Sequence, residues 1–280
     1  MPGAPRRARM TMDKTPVRRG RPPGSGRTRP AVRPEEGGSE ADRSTRDQLL
    51  EVAERLFARN GIDGTSMREI NRAADQQNAS AIHYYFGSKE ALVTAILDRR
   101  MSAVNTARLA LIDALDARGE GRDLRRITEV FILPLADQLN DGSGSNNYIR
   151  FLAQFYSSNQ FDIWAIAKDR NDESLSRVVT LLHRILPHLP RRLVRDRVSI
   201  SLRQAIYALA DWERDVSAGR RNIDLDREGF IANLVDMTEG ALAAPMSAQV
   251  RALSEMPPAA APARSCTRRR TSTSTRDCTT

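Results

Sequence analysis

Residues 65–92 read TSMREINRAADQQNASAIHYYFGSKEAL, and this stretch decides the fold. Within it, Ser66 is followed three residues later by Glu69, a spacing in which the two residues cap the start of a helix. A short helix should therefore begin at Thr65 or Ser66 and end near Ala74, where the polar turn begins.

A second short helix is predicted over 79–86, ending at Gly87, with the turn 75–78 between the two helices. Ile82 and Phe86 lie four residues apart on one helical face and should pack inward. Two short helices joined by a tight turn form a helix-turn-helix, whose second helix is slim enough to enter the major groove of DNA. The residues expected to face outward are Ala79, Ser80, Ala81, His83, Tyr84 and Lys89.

The chain around this stretch predicts helices only, because apolar residues recur at spacings of three and four and no alternating segment is long enough for a strand. A first helix should run from near Ser44 to Asn60, and Ser88 should cap a long fourth helix. Pro134 should kink or split the helix that contains it. Further helices are predicted at about 123–140, 146–157, 170–186, 191–217 and 225–243.

The two ends of the chain differ in composition from its middle. Residues 1–43 and 245–280 are rich in Pro, Gly, Ser, Thr and Arg without apolar periodicity, so both should be disordered. They carry net charges of +6 and +4, which leaves −1 for 44–244 out of the total of +9. A basic tail attracts nucleic acid, although a solubilising extension has the same composition.

Several classes of site and location are not expected. The two cysteines lie in the C-terminal tail without metal-ligand spacing, so we expect no metal site and no cofactor. No run of apolar residues is long enough to cross a membrane, which predicts a soluble, cytoplasmic protein. Signatures of common enzymes, such as a nucleophile elbow or a phosphate-binding glycine loop, are missing, so we expect no catalysis.

The segments 65–70 and 82–92 together resemble the DNA-binding domain of the TetR family, and the resemblance covers about 44–97. It implies an all-α fold with a three-helix DNA-binding domain at 44–100 and a helical effector-binding and dimerisation domain at 101–244. The DNA-contacting positions that it implies are Ser66, Arg68, Asn78, Ala79, Ser80, Ala81, His83, Tyr84 and Lys89.

The sequence departs from the family pattern in the turn. Asn71, Asp75 and Gln76 or Gln77 stand where the family usually has Ala, Gly and Val, and the turn is one residue longer. Structural roles also compete with DNA contact at several positions. Asn78 could instead cap the third helix, and Tyr85 and Phe86 could pack in the core. Arg68 and Lys89 could be solvated charges, but their place on either side of the third helix favours phosphate contact.

The N-terminal arm contains Arg18-Arg19-Gly20-Arg21-Pro22, which resembles the core of an AT-hook. Residues 44–90 hold six basic and seven acidic side chains, so this domain lacks a positive charge of its own. We therefore expect the arm to supply electrostatic affinity, with Arg19 and Arg21 entering a narrow minor groove.

The resemblance further implies a homodimer formed by the last two long helices, 191–217 and 225–243, and an unknown small-molecule effector. Each helix carries an apolar stripe that fits such an interface, with ordinary core as the alternative. The stripes are Leu202, Ile206, Leu209 and Ala210 on the first helix and Phe230, Leu234, Val235, Met237 and Leu242 on the second. Aromatic residues that are candidates to line an effector pocket are Tyr148, Phe151, Phe155, Tyr156, Phe161 and Trp164. Plain packing is the alternative for each of them.

These observations predict a sequence-specific transcriptional regulator, in the usual family form a repressor released from a palindromic operator by its effector. The first alternative is a non-specific, nucleoid-type DNA-binding protein that acts through its basic tails. The second is a helical ligand-binding protein or enzyme that has lost DNA binding. Operator binding that resists random competitor DNA would distinguish a sequence-specific regulator from the first alternative. Failure to bind any DNA would favour the second.

Overall fold

The computed structural model describes residues 40–76, 80–139, 146–158, 173–220 and 222–255. These residues form α-helices and no β-strand, which confirms the predicted all-α fold. The helices are α1 (Glu40–Asn60), α2 (Met67–Ala73), α3 (Ala81–Phe86), α4 (Lys89–Arg118), α5 (Leu124–Ala136), α6 (Tyr148–Ser157), α7 (Glu173–Ile185), α8 (Arg191–Ser217), α9 (Arg227–Ala243) and α10 (Ala248–Glu255).

Helices α1 to α3 form the predicted three-helix unit, which we call the head. Helix α1 begins at Glu40 rather than near Ser44, so one more turn precedes the predicted start. It ends at Asn60 as predicted, followed by Gly61 with φ of +79°, the left-handed conformation that glycine adopts at low cost. Leu49, Phe57 and other apolar residues of α1 are buried against the rest of the chain.

Helix α4 joins the head to the remaining helices without a break. Ser88 caps it as predicted, since its Oγ accepts a hydrogen bond from the Ala91 N–H at 3.1 Å. The helix ends after 30 residues at Gly119, which is in the left-handed conformation. The expected domain boundary at residue 100 therefore falls inside a continuous helix.

Helices α5 to α9 form the second layer, which we call the body. Their bounds lie within a few residues of the predicted ones, except that α5 ends at Ala136 instead of near 140. Pro134 does not split α5, because it lies in the last turn, only two residues before the helix ends. A single apolar core runs through both head and body, from Leu49 to Leu242.

Helices α8 and α9 run antiparallel. The rings of Trp212 and Phe230 stack at 5.6 Å near one end, and Arg197 Nη1 donates to the Leu242 carbonyl oxygen at 2.7 Å near the other. Asp226 caps α9 by accepting from the Gly229 N–H at 2.8 Å.

The C-terminal segment differs from its prediction at one point. We expected no regular structure beyond residue 244, yet α10 forms over Ala248–Glu255, with Ser247 Oγ accepting from the Val250 N–H. The sequence Ala-Gln-Val-Arg-Ala-Leu contains good helix formers, but the proline-rich residues just after it obscure this signal. No described helix combines the length and apolarity needed to cross a membrane.

Candidate nucleic-acid interface and its connection to the body

Helix α2 is anchored at its start by two side chains. Ser66 Oγ accepts from the Glu69 N–H at 3.2 Å, which confirms the predicted cap. Thr65 Oγ1 donates to the Gly61 carbonyl oxygen at 2.8 Å, which ties the start of α2 to the end of α1. Because Ile70 is fully buried, α2 presents Arg68 to solvent on its opposite side.

The turn between α2 and α3 is organised by Asn71, which is only 4% exposed. Its Oδ1 accepts from the Ile82 N–H at 3.3 Å, and its Nδ2 donates to the Gln76 carbonyl oxygen at 3.4 Å. Asp75 has φ of +51°, a conformation that asparagine and aspartate tolerate better than most residues. The residues that depart from the family pattern thus build the turn that positions α3.

Helix α3 has one buried and one exposed face. Ile82 and Phe86 pack inward as predicted, while Tyr84 is 78% exposed and His83 lies beside it in solvent. His83 Nδ1 lies 3.1 Å from the Gly87 carbonyl oxygen, so this contact is a hydrogen bond when Nδ1 carries the proton. In the neutral form of that tautomer, Nε2 is unprotonated and can accept a hydrogen bond from a partner.

The predicted outward orientation of Ala81 is wrong. This residue is only 7% exposed, because it lies one residue before Ile82 at the point where α3 enters the core. A DNA contact by its side chain is therefore excluded in this conformation.

Two aromatic residues of α3 contact the start of α1. Tyr85 OH donates to Asp42 Oδ1 at 3.0 Å, and the Arg46 guanidinium lies 5.3 Å from the Phe86 ring centroid. Burial, followed by the hydrogen bond with Asp42, raises the pKa of the Tyr85 phenol. The sequence did not predict the hydrogen bond between Tyr85 and Asp42, since Asp42 belongs to the extra turn of α1 before Ser44.

Lys89, the predicted phosphate contact, is half-buried at the start of α4. Its Nζ lies 6.0 Å from the centroid of the Phe57 ring. Burial lowers the pKa of this ammonium, and the nearby Asp63 carboxylate opposes that shift. Both neighbours of this ammonium that the structure gives, the Phe57 ring and the Asp63 carboxylate, belong to the head.

The structure thus brings most of the predicted DNA-contacting positions to one part of the head. The exposed ones among them are Ser66, Arg68, Ser80, His83 and Tyr84. Asn78 and Ala79, and Arg19 and Arg21 of the N-terminal arm, lie outside the described residues. Their contacts with DNA remain predictions.

The predicted pocket aromatics of the body lie in its core. Tyr148, Phe151 and Phe155 are buried, with ring centroids of Tyr148 and Phe151 6.3 Å apart, and Tyr156 is half-buried. Phe161 and Trp164 lie outside the described residues. This arrangement supports the packing alternative for the described members, and the Tyr148 hydroxyl is buried with no hydrogen-bond partner in the described parts of the chain.

A buried polar chain connects the head to the body, and no pattern in the sequence predicts it. Glu54 of α1 is 4% exposed and accepts two hydrogen bonds from Arg100 of α4, at 2.7 and 2.9 Å. Its Oε1 also accepts from the Asn147 N–H at 3.2 Å. Asn147 Oδ1 in turn accepts from Arg150 Nη2 at 2.8 Å, and Arg150 Nε lies 2.8 Å from Glu213 Oε1 of α8.

A second contact joins the head and the body at the other end of α6. Ser158 Oγ donates to Asp63 Oδ1 at 2.6 Å, so both ends of α6 are bonded to the head. No local sequence pattern signals these contacts, because the partners are about ninety residues apart and belong to separate helices.

Helices α8 and α9 retain some exposed apolar side chains. Ile200 and Tyr207 lie seven residues apart on α8 and are exposed, although neither belongs to the predicted stripe of that helix. Of the two predicted stripes, Met237 is 65% exposed and Leu202 is half-buried, while the other members, such as Ile206 and Leu234, are buried within the chain. The stripes therefore serve mainly as core in this chain.

Two family models match separate parts of the chain. Residues 49–96 match the bacterial regulatory proteins of the tetR family, and residues 129–241 match the tetracyclin repressor-like C-terminal domain. The first match covers the helix-turn-helix, and the second covers most of the body.

Curated relatives match a limited part of the chain. The HTH-type transcriptional repressor NicS of Pseudomonas putida is 36% identical over 86 residues, which are 30% of this chain and 40% of NicS. The probable HTH-type transcriptional regulator YttP of Bacillus subtilis is 46% identical over 50 residues, which are 18% of this chain and 24% of YttP. The chain thus spans less than half the length of either relative.

Among solved structures, the chain is similar to crystal structures of NalD, the secondary repressor of the MexAB-OprM multidrug efflux pump in Pseudomonas aeruginosa. One of them is 19% identical and covers 71% of this chain and 96% of its own, with a TM-score of 0.48.

Proposed function

We propose a function from one premise, which is that the chain belongs to the tetR family of bacterial regulatory proteins. On this proposal it is a sequence-specific, DNA-binding transcriptional regulator that represses from a palindromic operator in the cytoplasm. A small-molecule effector releases it from the DNA. The single observation that carries the proposal is the two-faced helix α3, which buries Ile82 and Phe86 and leaves His83 and Tyr84 in solvent.

The exposed side chains suit the two tasks of a DNA-reading head. On this proposal the exposed Tyr84 and His83 of α3 contact base edges in the major groove, while the exposed Arg68 and the half-buried Lys89 bind phosphate. Phosphate contacts orient the head, and base contacts select the sequence. Ser66, Asn78, Ala79 and Ser80 complete the proposed interface, and Arg19 and Arg21 of the arm add minor-groove contacts.

A palindromic operator requires two heads, which we propose a homodimer provides. The exposed Ile200 of α8 and Met237 of α9 favour these two helices as the contact between protomers. Half-sites on one face of B-DNA lie about 34 Å apart or at multiples of this distance, so only a dimer with matching head separation binds both. An effector that prefers another separation lowers DNA affinity by its differential affinity for the two states.

The test is fluorescence anisotropy of the full chain with DNA from upstream of its own coding sequence, in excess random competitor. The proposal expects competitor-resistant binding to a palindrome. Tyr84→Ala should weaken that binding by about tenfold or more, since one good base contact contributes about 1–3 kcal/mol. Leu253→Ala, at an exposed apolar residue of α10, is the matched control and should bind like wild type.

Two outcomes would contradict the proposal. Binding that random DNA abolishes would favour the non-specific, tail-driven alternative, and no binding to any DNA would favour a ligand-binding protein that has lost this activity. If deletion of 1–39, which precede α1, leaves the salt dependence of binding unchanged, the arm has no electrostatic role.

A further inference from the structure

A cavity of about 480 Å³ opens where the head meets the body. Its wall residues come from three helices, with Arg59 from α1, Arg150 and Gln154 from α6, and Tyr207 and Arg214 from α8. Small-molecule sites usually measure about 300–1,000 Å³, so the cavity is large enough for a compact organic ligand. Its position differs from that of the buried aromatic cluster of the body, whose described members do not line it.

The charges around the cavity favour an anion. Three arginines line it, whereas the carboxylates are Asp211, which pairs with Arg214, and Glu213, which pairs with Arg150 from the buried side. One positive charge remains, and it is that of Arg59, which forms no ion pair within the described residues. Because a guanidinium presents parallel N–H groups in one plane, it matches a carboxylate with two hydrogen bonds.

The remaining wall is uncharged and combines apolar with polar groups. Ala58, Ala153 and Ala210 supply small apolar surface in addition to the ring of Tyr207, and Gln154 and Ser157 supply an amide and a hydroxyl. The Tyr207 hydroxyl lies 2.8 Å from Ser157 Oγ, which directs the polar end of the ring towards α6. Together, the unmatched arginine and the apolar surface fit a small aromatic or branched carboxylate better than a sugar or a cation.

The cavity adjoins the polar chain that links α8 to the head. Arg150 lines the cavity, donates to Asn147 and pairs with Glu213, and the 2.8 Å contact with Glu213 lacks the alignment of a hydrogen bond. A carboxylate at this edge competes with Asn147 and Glu213 for the Arg150 guanidinium. The next member of the chain is Glu54 of α1, so such competition reaches the head through one further contact.

We propose that this cavity is a regulatory site for a small organic carboxylate, held by Arg59 and Arg150, whose occupancy alters the position of the head relative to the body. The inference rests on the proposed function for its effect on DNA, but not for ligand binding itself. Its two parts are therefore measured separately.

The binding part is tested with benzoate as the probe and benzamide as its neutral analogue, by isothermal titration calorimetry on the full chain without DNA. We expect benzoate to bind at millimolar concentration and benzamide to bind at least about tenfold more weakly, because only the anion meets the arginines. Arg59→Gln should weaken benzoate binding by a similar factor. Arg192→Gln, at an exposed arginine at the opposite end of α8, should leave it unchanged.

Three results would overturn the binding part. These are no heat of binding with benzoate, equal affinity for benzoate and benzamide, and equal weakening by the two arginine variants. Melting curves of each variant show whether it is folded. A cavity-filling variant, Ala153→Leu, offers an independent check and should reduce benzoate binding without removing a charge.

The regulatory part is tested by operator affinity with and without saturating benzoate. We expect a change of about tenfold in wild type, within the usual range of coupling between two sites. Asn147→Ala removes the contact to Arg150 but keeps the backbone N–H that binds Glu54, so it should retain benzoate binding and lose most of the coupling. Equal coupling in wild type and this variant would overturn the relay, whereas absence of operator binding would instead refute the proposed function.

Discussion

Helix α3 of the head has six residues, three of them buried, whereas helix α8 of the body has 27 residues and eight buried ones. A helix of six residues is not stable alone, so the position of α3 depends on the contacts that other elements make with it. Asn71 holds its start and Asp42 holds Tyr85. The body, by contrast, is stabilised by burial distributed over many side chains, so its tolerance of single changes depends on volume instead of on individual hydrogen bonds.

The largest expected effect is on the body. Phe151 is fully buried between Tyr148 and Phe57, and Phe151→Ala should lower the free energy of unfolding by about 3–5 kcal/mol through lost burial and a cavity. Urea denaturation followed by circular dichroism measures it. Phe151→Leu is the control and should lose clearly less, and equal losses would show that volume does not govern this site.

The next largest expected loss of unfolding free energy concerns Asn71, which positions α3. Asn71→Ala leaves the Ile82 N–H and the Gln76 carbonyl without the buried side chain that bonds both, which should cost about 1–3 kcal/mol of unfolding free energy. Hydrogen exchange should rise first in α3. Asn60→Ala removes an exposed hydrogen bond to Glu69 and should cost about 0.5 kcal/mol or less, so a comparable loss would contradict the special role of Asn71.

A smaller loss of unfolding free energy is expected when the Tyr85 hydroxyl of the head is removed. Tyr85→Phe removes the bond to Asp42 and should lower the free energy of unfolding by about 0.5–1.5 kcal/mol. Since the loss concerns one partner of a hydrogen bond, the double variant with Asp42→Ala should lose little more than either single variant. Additive losses in this double-mutant cycle would show that the two residues act independently.

The smallest effect has the opposite sign and concerns the body. The Tyr148 hydroxyl is buried without a hydrogen-bond partner in the described residues, so Tyr148→Phe should leave the unfolding free energy unchanged or raise it at neutral pH. A loss above about 1 kcal/mol would contradict this interpretation of the site.

The same residue gives a pH dependence with a defined sign. Burial raises the pKa of the Tyr148 phenol well above its usual value of 10.0, so the folded chain keeps a proton that the unfolded chain releases. Its contribution to stability is therefore complete below pH 10 and is lost as the pH rises further. Tyr148→Phe should make the alkaline decline shallower, as measured by denaturation at several pH values.

The head could be predicted closely because its signals are local. Capping residues such as Ser66 and Ser88, the stop at Gly61 and the spacing of Ile82 and Phe86 each act within one or two turns. Ala81 was predicted wrongly because it is the first residue of a short helix, where periodicity does not determine whether a side chain faces the core or solvent. Asn71 departs from the family pattern, but the sequence does not indicate its partners. The Ile82 N–H and the Gln76 carbonyl come within its reach only in the folded turn.

The body could be predicted as a set of helices but not as an arrangement. Periodicity indicates which face of a helix is apolar, yet it does not say whether that face meets its own chain or another. For this reason the stripes containing Leu209 and Leu234 were open to either core or interface, and in the structure every member except Leu202 and Met237 is buried within the chain. The contacts of Glu54 with Arg100 and Asn147 join distant segments, and no spacing rule anticipates them.

The unbroken helix α4 has a consequence for combining this head with other bodies. At 1.5 Å per residue its 30 residues extend about 45 Å, and each added residue rotates the rest of the chain by about 100°. A hybrid regulator spliced within α4 must therefore preserve helical phase as well as length. One inserted residue would rotate the DNA-binding surface by about 100°, while four would leave it within about 40° of its original direction and lengthen the helix by about 6 Å.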